Sequence, residues 1–506
     1  GSNQLAYNIK ILHTAAWKDH TTSYLAVLSG QESLQSTPNS VLDGIRRRNL
    51  GLSMRLSYGY KERYYLEGSF GYNGSERFAK DHRMGFFPSV GGAWVVSKEP
   101  FLLGSSKWLS FLKLRLSYGK VGNDGIIDTP RFVHLPSIGQ DQPSGSFRPG
   151  LGQISRYRIT GYQNNDVTWE IAEQANLGLE TKFFNGLFEA TVDIYQQVRH
   201  NVLANRTVIP EAMGLGLQPL DNIGKVRSRG LDFAGKIQHA FNSDLWVILN
   251  GTFTYSKATY LKIEEAADKP EWQWKKGHDI SQQVGYIAEG LFRDQMEIDN
   301  SPVQGGDLMP GDIRYRDIND DGVIDVKDAV HIGFPTTPRI IYGFNGFINY
   351  KGLEFSFAFQ GSGQRGFFIN PAAISPFYGN HALLTAIYKD HWSVDNQAER
   401  PLWPRLSTKS ITAHNPQEDY TTDKETRMST YFLKECRFLR CTSLELGYNL
   451  PKKWSRKLAL KNLKVYVRAN NPFLISNFDL WDVELGGNGF NYPIQKTYSV
   501  GLNVNF

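Results

Sequence analysis

The chain has 506 residues, with 56 Lys and Arg against 50 Asp and Glu, 41% hydrophobic residues, 13% aromatic residues and two cysteines. A net charge of +6 excludes the concentrated basic face of a dedicated nucleic-acid binder, and two cysteines exclude a disulfide scaffold. No run approaches the ~18 consecutive apolar residues of a membrane-spanning helix, so only the strand pattern can decide whether the chain enters a membrane.

That pattern has a period of two almost throughout. Leu50, Leu52, Met54, Leu56 and Tyr58 alternate with Gly51, Ser53, Arg55 and Ser57. Leu112, Leu114, Leu116 and Tyr118 alternate with Lys113, Arg115 and Ser117, and Leu353, Phe355, Phe357 and Phe359 with Glu354, Ser356, Ala358 and Gln360. The pattern predicts about fifteen strands, at 3–17, 22–34, 48–60, 63–74, 87–97, 111–120, 168–181, 187–199, 225–241, 244–262, 338–350, 352–362, 437–449, 462–471 and 495–506. Many reach the ~9–11 residues that cross a bilayer, against ~5–6 in soluble sheets. Aromatics such as Tyr58, Tyr60, Tyr118 and Tyr448 sit at strand ends, where the interfacial girdle of a membrane barrel belongs. Cys436 and Cys441 lie five residues apart, and on one extended strand they would be too far apart to bridge.

The connections alternate in length. Those at 18–21, 61–62, 98–110, 182–186, 242–243, 351 and 451–461 are short; those at 35–47, 75–86, 121–167, 200–224, 263–337, 363–436 and 472–494 are long. Outer-membrane barrels sort their loops in this way, with short periplasmic turns and long outer loops. If the last strand descends to the periplasm, residue 1 starts outside. An odd strand count then separates the two termini, whereas bacterial single-chain barrels have even counts. The expectation is the C-terminal part of a larger barrel, with the missing strands upstream or on a separate polypeptide.

Several stretches resemble SusC/RagA-type TonB-dependent transporters of Bacteroidota outer membranes. They are RRRNLGLSMRLSYGYKERYYLEGSFGYNGSERF (46–78), GFFPSVGGAWVVSKEPF (85–101), LKLRLSYGKVGNDGI (112–126), VTWEIAEQANLGLETKFFNGLFEATVDIY (167–195), DIRYRDINDDGVIDVKDAVHIGFPTTPRIIYGF (312–344), LKNLKVYVRANNPFLIS (460–476) and YPIQKTYSVGLNVNF (492–506). The resemblance implies an antiparallel transmembrane β-barrel of 22 strands, of which residues 1–506 supply the C-terminal portion. It also implies a plug domain and TonB contact outside this chain, and a SusD/RagB-like surface lipoprotein over the outer mouth. The implied function is uptake of oligosaccharides or oligopeptides across a Gram-negative outer membrane, with no enzymatic step. The terminal row Tyr498, Val500, Leu502, Val504 and Phe506 in 495–506 resembles the signal read by the barrel-assembly machinery.

Within the long connection 263–337, residues 317–328 follow the spacing of an EF-hand loop. Asp317, Asn319, Asp321, the Val323 carbonyl, Asp325 through water and Asp328 take positions 1, 3, 5, 7, 9 and 12, with Gly322 at the turn. Asp in place of Glu at position 12 fits Mg²⁺ or weak Ca²⁺ binding, as a structural clip. An acidic surface turn is the plainer alternative. Aromatics crowd the long connections: Tyr162, Trp169, Trp272, Trp274, Phe377, Tyr378, Trp392, Trp403, Phe478 and Trp481. Aromatic faces stack on sugars and anchor interfaces, which marks Trp272, Trp274, Trp392 and Trp403 as candidate substrate or lid contacts; packing of loop on loop is the alternative for each. Gly361, Gly363 and Gly366 match a dinucleotide fingerprint in letters, but no helix pattern follows. Two rival functions stand beside transport: a passive porin or adhesin barrel, and a soluble, Ca²⁺-stabilised glycan-binding β-protein.

Overall fold

The computed structural model describes residues 2–35, 45–105, 107–125, 132, 134–140, 157–209, 211–214, 217–419, 428–457 and 460–505. In chain order the strands are β1 (Ser2–Trp17), β2 (His20–Gln35), β3 (Arg47–Tyr60), β4 (Tyr64–Ser75), β5 (Met84–Val95) and β6 (Leu109–Asn123), then two short ones, β7 (Ser137–Gln140) and β8 (Tyr157–Gly161). Next come β9 (Glu170–Phe183), β10 (Phe188–Asn205), β11 (Leu220–Ala240) and β12 (Leu245–Lys262). Four short strands follow: β13 (Gln283–Gly285), β14 (Ala288–Leu291), β15 (Ile313–Tyr315) and β16 (Val330–Ile332). The series closes with β17 (Ile340–Tyr350), β18 (Leu353–Phe368), β19 (Leu433–Asn449), β20 (Asn462–Asn470), β21 (Leu474–Ser476) and β22 (Thr497–Asn505).

One 16-stranded sheet takes β1-β2-β3-β4-β5-β6-β9-β10-β11-β12-β17-β18-β19-β20-β22 in hydrogen-bonded order, with β21 beside β19. Each strand expected from the alternation lies on this path. The chain divides into two compact units, residues 1–232 with 257–267, and residues 233–256 with 268–506. No helix is long and apolar enough to cross a membrane among the described residues.

Register explains why alternation suffices to build the sheet, since directly opposed residues share a face. In the second unit Ile348 opposes Phe355, Phe355 opposes Leu446, Leu446 opposes Val467 and Val467 opposes Val500. In the first unit Ile9, Leu28, Leu52, Tyr72 and Phe86 form a comparable row. These rows are open: Leu446 is 50% exposed and Val500 75% exposed. A soluble sandwich would bury them against a second sheet. The buried apolar clusters lie elsewhere, in the long connections and the adjoining strand ends.

Tight turns set the register at the opposite ends. Lys61 and Glu62, and Lys351 with Gly352, all take positive φ, the two-residue hairpin geometry whose twist matches the flanking strands. Asn242 Oδ1 accepts from the amides of Asp244 and Leu245, closing the β11–β12 turn. Cys436 and Cys441 on β19 are free and buried. The glycine-rich stretch 361–366 is a strand irregularity, not a phosphate loop: the β18–β19 register shifts between Ser362 and Arg365, and Gln364 takes φ 52°. For that reason β18 runs on to Phe368, beyond the predicted end at 362.

Candidate functional site

The face opposite the apolar rows carries paired charge. In the first unit Arg115 Nε lies 2.6 Å from Glu180 and its Nη2 lies 3.1 Å from Asp193. Glu173 Oε1 lies 2.9 Å from Lys120 Nζ, and its other oxygen lies 3.3 Å from His200 Nε2. In the second unit Lys464 joins Glu354 at 2.6 Å and Glu445 at 2.9 Å, and Glu445 also holds Arg468. A sheet with lipid-type residues on one face and ion pairs on the other is the arrangement a water-filled lumen requires.

The long connections of the second unit fold into a core of their own. Strands β13 and β16 pair, as do β14 and β15, and Tyr286, Ile313, Tyr315, Ile324, Ile387, Trp403, Ile411 and Phe432 are buried together. Buried polar groups tie the connections to each other. Asp312 is fully buried; its Oδ1 lies 2.5 Å from His414 Nδ1 and 2.9 Å from Arg405 Nε. Glu418 is also fully buried, accepting from Tyr315 Oη at 3.0 Å and from the Ser429 amide at 3.3 Å, and burial pushes its carboxyl up to about 7. No sequence pattern flags these groups, because Asp312 meets His414 102 residues away and Glu418 meets Tyr315 103 residues away along the chain.

This core decides the place of the aromatics. Trp403 is 2% exposed and packs on Phe432 at 5.5 Å, so it is a core residue, and the expectation that it contacts substrate or lid is corrected. Trp392 is half-buried against the same core. Trp272 and Trp274 stay exposed, held by indole N–H bonds to the Lys327 carbonyl at 2.8 Å and the Lys269 carbonyl at 3.2 Å. In the first unit Trp169 is buried with Phe78 and Phe87.

Residues 317–328 form a tight loop of side-chain-to-backbone bonds. Asp317 Oδ2 accepts from Gly322 N at 2.8 Å, Asn319 Oδ1 from Asp321 N at 3.1 Å, and Asp321 Oδ1 from Val323 N at 2.9 Å. Asp325 accepts from Lys327 N, while Asp328 braces the loop by accepting from Ile318 N and Asp325 N, each at 2.8 Å. Ile324 pairs its backbone with Val303 and sinks its side chain into the core. Asp317 Oδ1, the atom that position 1 offers, is buried without a hydrogen-bond partner. Among the described residues no group of three His, Cys, Asp or Glu side chains could hold a metal ion. An ion here would therefore need Asn319, the Val323 carbonyl and water as well.

On β22, Tyr498, Val500, Leu502 and Val504 line one exposed face. Phe506 lies outside the described residues.

The family described as TonB dependent receptor-like, beta-barrel matches residues 3–505. TonB-dependent receptor P26 of Formosa agariphila is 29% identical over 89% of this chain and 45% of its own length. TonB-dependent receptor SusC of Bacteroides thetaiotaomicron is 27% identical over 89% of this chain and 43% of its own length. The chain thus spans about half the length of the curated relatives it matches. A solved structure of the RagAB peptide transporter superposes on 100% of this chain and 55% of its own, with a TM-score of 0.72 and 21% identity. The polypeptide belongs to the TonB dependent receptor-like β-barrel family, and its place is the outer membrane.

Proposed function

We propose that the chain forms part of the wall and much of the outer mouth of a SusC-like importer, completed by a plug and further strands to a 22-stranded barrel. It takes up oligosaccharides or oligopeptides with a SusD/RagB-like surface lipoprotein and draws energy through TonB. The observation that carries this reading is the family match from residue 3 to 505, supported by the fold shared with RagAB along the whole chain. The folded outer core supports it too, because Trp272, Trp274, Phe377 and Tyr378 stand exposed where a lid would settle. The test is purification of the complete transporter from its native membrane with mass spectrometry of co-purifying chains, alongside uptake assays with and without TonB. A chain that co-purifies with no lipoprotein and conducts solutes without TonB is a porin, and the reading fails.

The loop 317–328 binds Ca²⁺ weakly, or Mg²⁺, as a clip on the outer core. Its ligands are Asp317, Asn319, Asp321, the Val323 carbonyl, Asp325 through water and Asp328. Asp317 Oδ1, buried and unbonded, supports this assignment. Identical Ca²⁺ titration heats for the wild type and the D317A/D321A variant would remove it. The exposed row from Tyr498 to Val504, continued by Phe506, serves as the assembly signal.

A further inference from the structure

The short connections of the second unit stand side by side along one end of the sheet. Lys351 N donates to the Asp244 carbonyl, joining the β11–β12 and β17–β18 turns, and Asn449 N donates to the Gly352 carbonyl, joining the latter to the β19–β20 connection. In that connection residues 452–461, KKWSRKLALK, carry five Lys or Arg and no acid. A short helix, Lys452–Lys457, opens it. Ser455 pins the helix from within: it is buried, its amide donates to the Pro451 carbonyl at 3.2 Å and its carbonyl accepts from Leu460 N at 3.0 Å. Lys452, Lys453, Trp454 and Lys457 are left exposed around it, Trp454 at 60%.

The charge here is unbalanced. In the first unit four ion pairs hold the short turns: Lys61 meets Asp19 at 3.8 Å, Arg63 meets Glu99 at 3.5 Å, Lys98 meets Glu62, and Lys182 meets Glu189 at 3.1 Å. Lys18 and Lys107 stand outside them, on separate connections. In the second unit, among the described residues, Lys351, Lys452, Lys453 and Lys457 have no ion-pair partner, and the Trp454 indole N–H has no acceptor. Of the acids at this end, Glu354 is held by Lys464 at 2.6 Å, which leaves Asp244 against four cations.

Where the cations stand names the partner. Tyr350 opposes Leu353, Leu353 opposes Tyr448, Tyr448 opposes Val465 and Val465 opposes Leu502, all of them exposed. The last row before the turns therefore belongs to the apolar face. The Lys351 ammonium lies over the Tyr350 ring, 5.5 Å from its centroid, which puts charge at the rim of that face and not on the ion-paired one. Exposed indole and phenol rings beside unpaired ammoniums, just past a lipid-type face, suit a headgroup layer. The rings take the interface and the cations take phosphate oxygens. A protein partner in the lumen would meet the opposite face.

We propose that the turn at Lys351 and the helix Lys452–Lys457 bind anionic phospholipid headgroups, of the phosphatidylglycerol class, in the leaflet that the short turns meet. Short turns mark the periplasmic side. Phosphodiester oxygens sit among Lys351, Lys452, Lys453 and Lys457, and Trp454 anchors beside them. The assignment uses the outer-membrane setting and not the transported substrate, so it can fail while the importer reading stands.

The test uses the complete transporter with its lipoprotein, delipidated in detergent, with bound lipid measured by native mass spectrometry. The probes are dioleoyl phosphatidylglycerol, dioleoyl phosphatidylethanolamine, lipid A and soluble glycerol phosphate. Wild type should bind phosphatidylglycerol about fivefold or more tightly than phosphatidylethanolamine. K452Q/K453Q/K457Q should remove that preference and leave phosphatidylethanolamine binding within about twofold, whereas K452R/K453R/K457R should keep it. K276Q/K327Q/K389Q removes the same charge from exposed positions of the long connections and should leave the preference intact. W454A should weaken both phospholipids alike, since an indole at the interface is indifferent to headgroup charge. Each variant is first checked for heat-modifiable migration, which reports an intact barrel. Equal binding of the two phospholipids by wild type, a preference that survives K452Q/K453Q/K457Q, or an equal loss in K276Q/K327Q/K389Q overturns the proposal. Lipid A binding that is lost in K452Q/K453Q/K457Q would place these turns in the other leaflet, and glycerol phosphate bound as tightly as the phospholipid would make this a site for free anions. Either result overturns it as well.

Discussion

Arg115 on β6 reaches past β9 to Asp193 on β10, placing its Nη2 3.1 Å from Asp193 Oδ1 across the bare backbone of Gly178. Register makes the bridge possible, because Gly178 stands directly opposite both Arg115 and Asp193. A Cβ on Gly178 would lie 2.7 Å from Asp193 Oδ1 and 2.8 Å from Arg115 Cζ. The glycine is a missing side chain through which a three-strand ion pair passes.

G178V should therefore lower barrel stability by about 1–3 kcal/mol, as expected when a wedge enters a packed site. D193A should cost only about 0–1 kcal/mol, since Arg115 keeps Glu180 and both groups are partly solvated. Urea-dependent loss of heat-modifiable migration measures both. Equal effects would mean the passage over Gly178 carries no weight.

The outer core should be pH-sensitive through Glu418. Its carboxyl is raised from an ordinary 4.5 to about 7 by burial, so between those values the native state keeps a proton that the unfolded chain has released. The contribution of Glu418 to stability should be greatest below about pH 4.5, fall as pH rises towards 7 and level beyond it, by up to on the order of 3 kcal/mol. E418Q should abolish this slope in a proteolysis-protection series from pH 5 to 8. A slope that persists in E418Q assigns it to another group.

Trp403 and Trp272 should behave oppositely. W403A empties a site at the centre of the core and should cost about 3–5 kcal/mol, opening the outer connections to protease. W272A removes an exposed ring and one indole bond to the Lys327 carbonyl, and should cost about 1 kcal/mol or less. If W403A is as resistant as wild type, the core is not the unit the packing implies.

Removing Ca²⁺ with a chelator should raise the rate of cleavage within 303–328, where Val303 pairs with the loop, severalfold in wild type. In D317A/D321A the chelator should make no difference. Peptide mapping of the cleaved sites checks both.

Val500, exposed on the apolar face of β22, offers a test of which side meets lipid. V500R should cost about 2–4 kcal/mol if the residue sits near the bilayer midplane, whereas N503R, on the alternate face, should cost much less. Folding into vesicles reads the difference, and the reverse order would invert the faces.

The sheet was legible in the sequence because a period of two needs only neighbours to be read: Leu446 and Val500 announce their face by what stands two positions away. Even β18 was recognised over 352–362, and only its extension past Ser362 to Phe368 was missed, since an irregularity breaks the alternation. The outer core was not legible. Trp403 looks like any loop aromatic until Phe432 is placed beside it, and Asp312 like any loop acid until His414 closes over it.

The outer connections of the second unit are woven together: the Ile313 amide donates to Asn415, Ala288 N to Thr430, and Asn370 N to the Gly487 carbonyl. Grafting any single one of them into a cousin would leave half a hydrophobic interior without its complement. Exchanges among these connections must accordingly be made as a set, and a chimera that moves 268–337, 363–436 and 472–494 as a block is the smallest one that respects how they pack on each other.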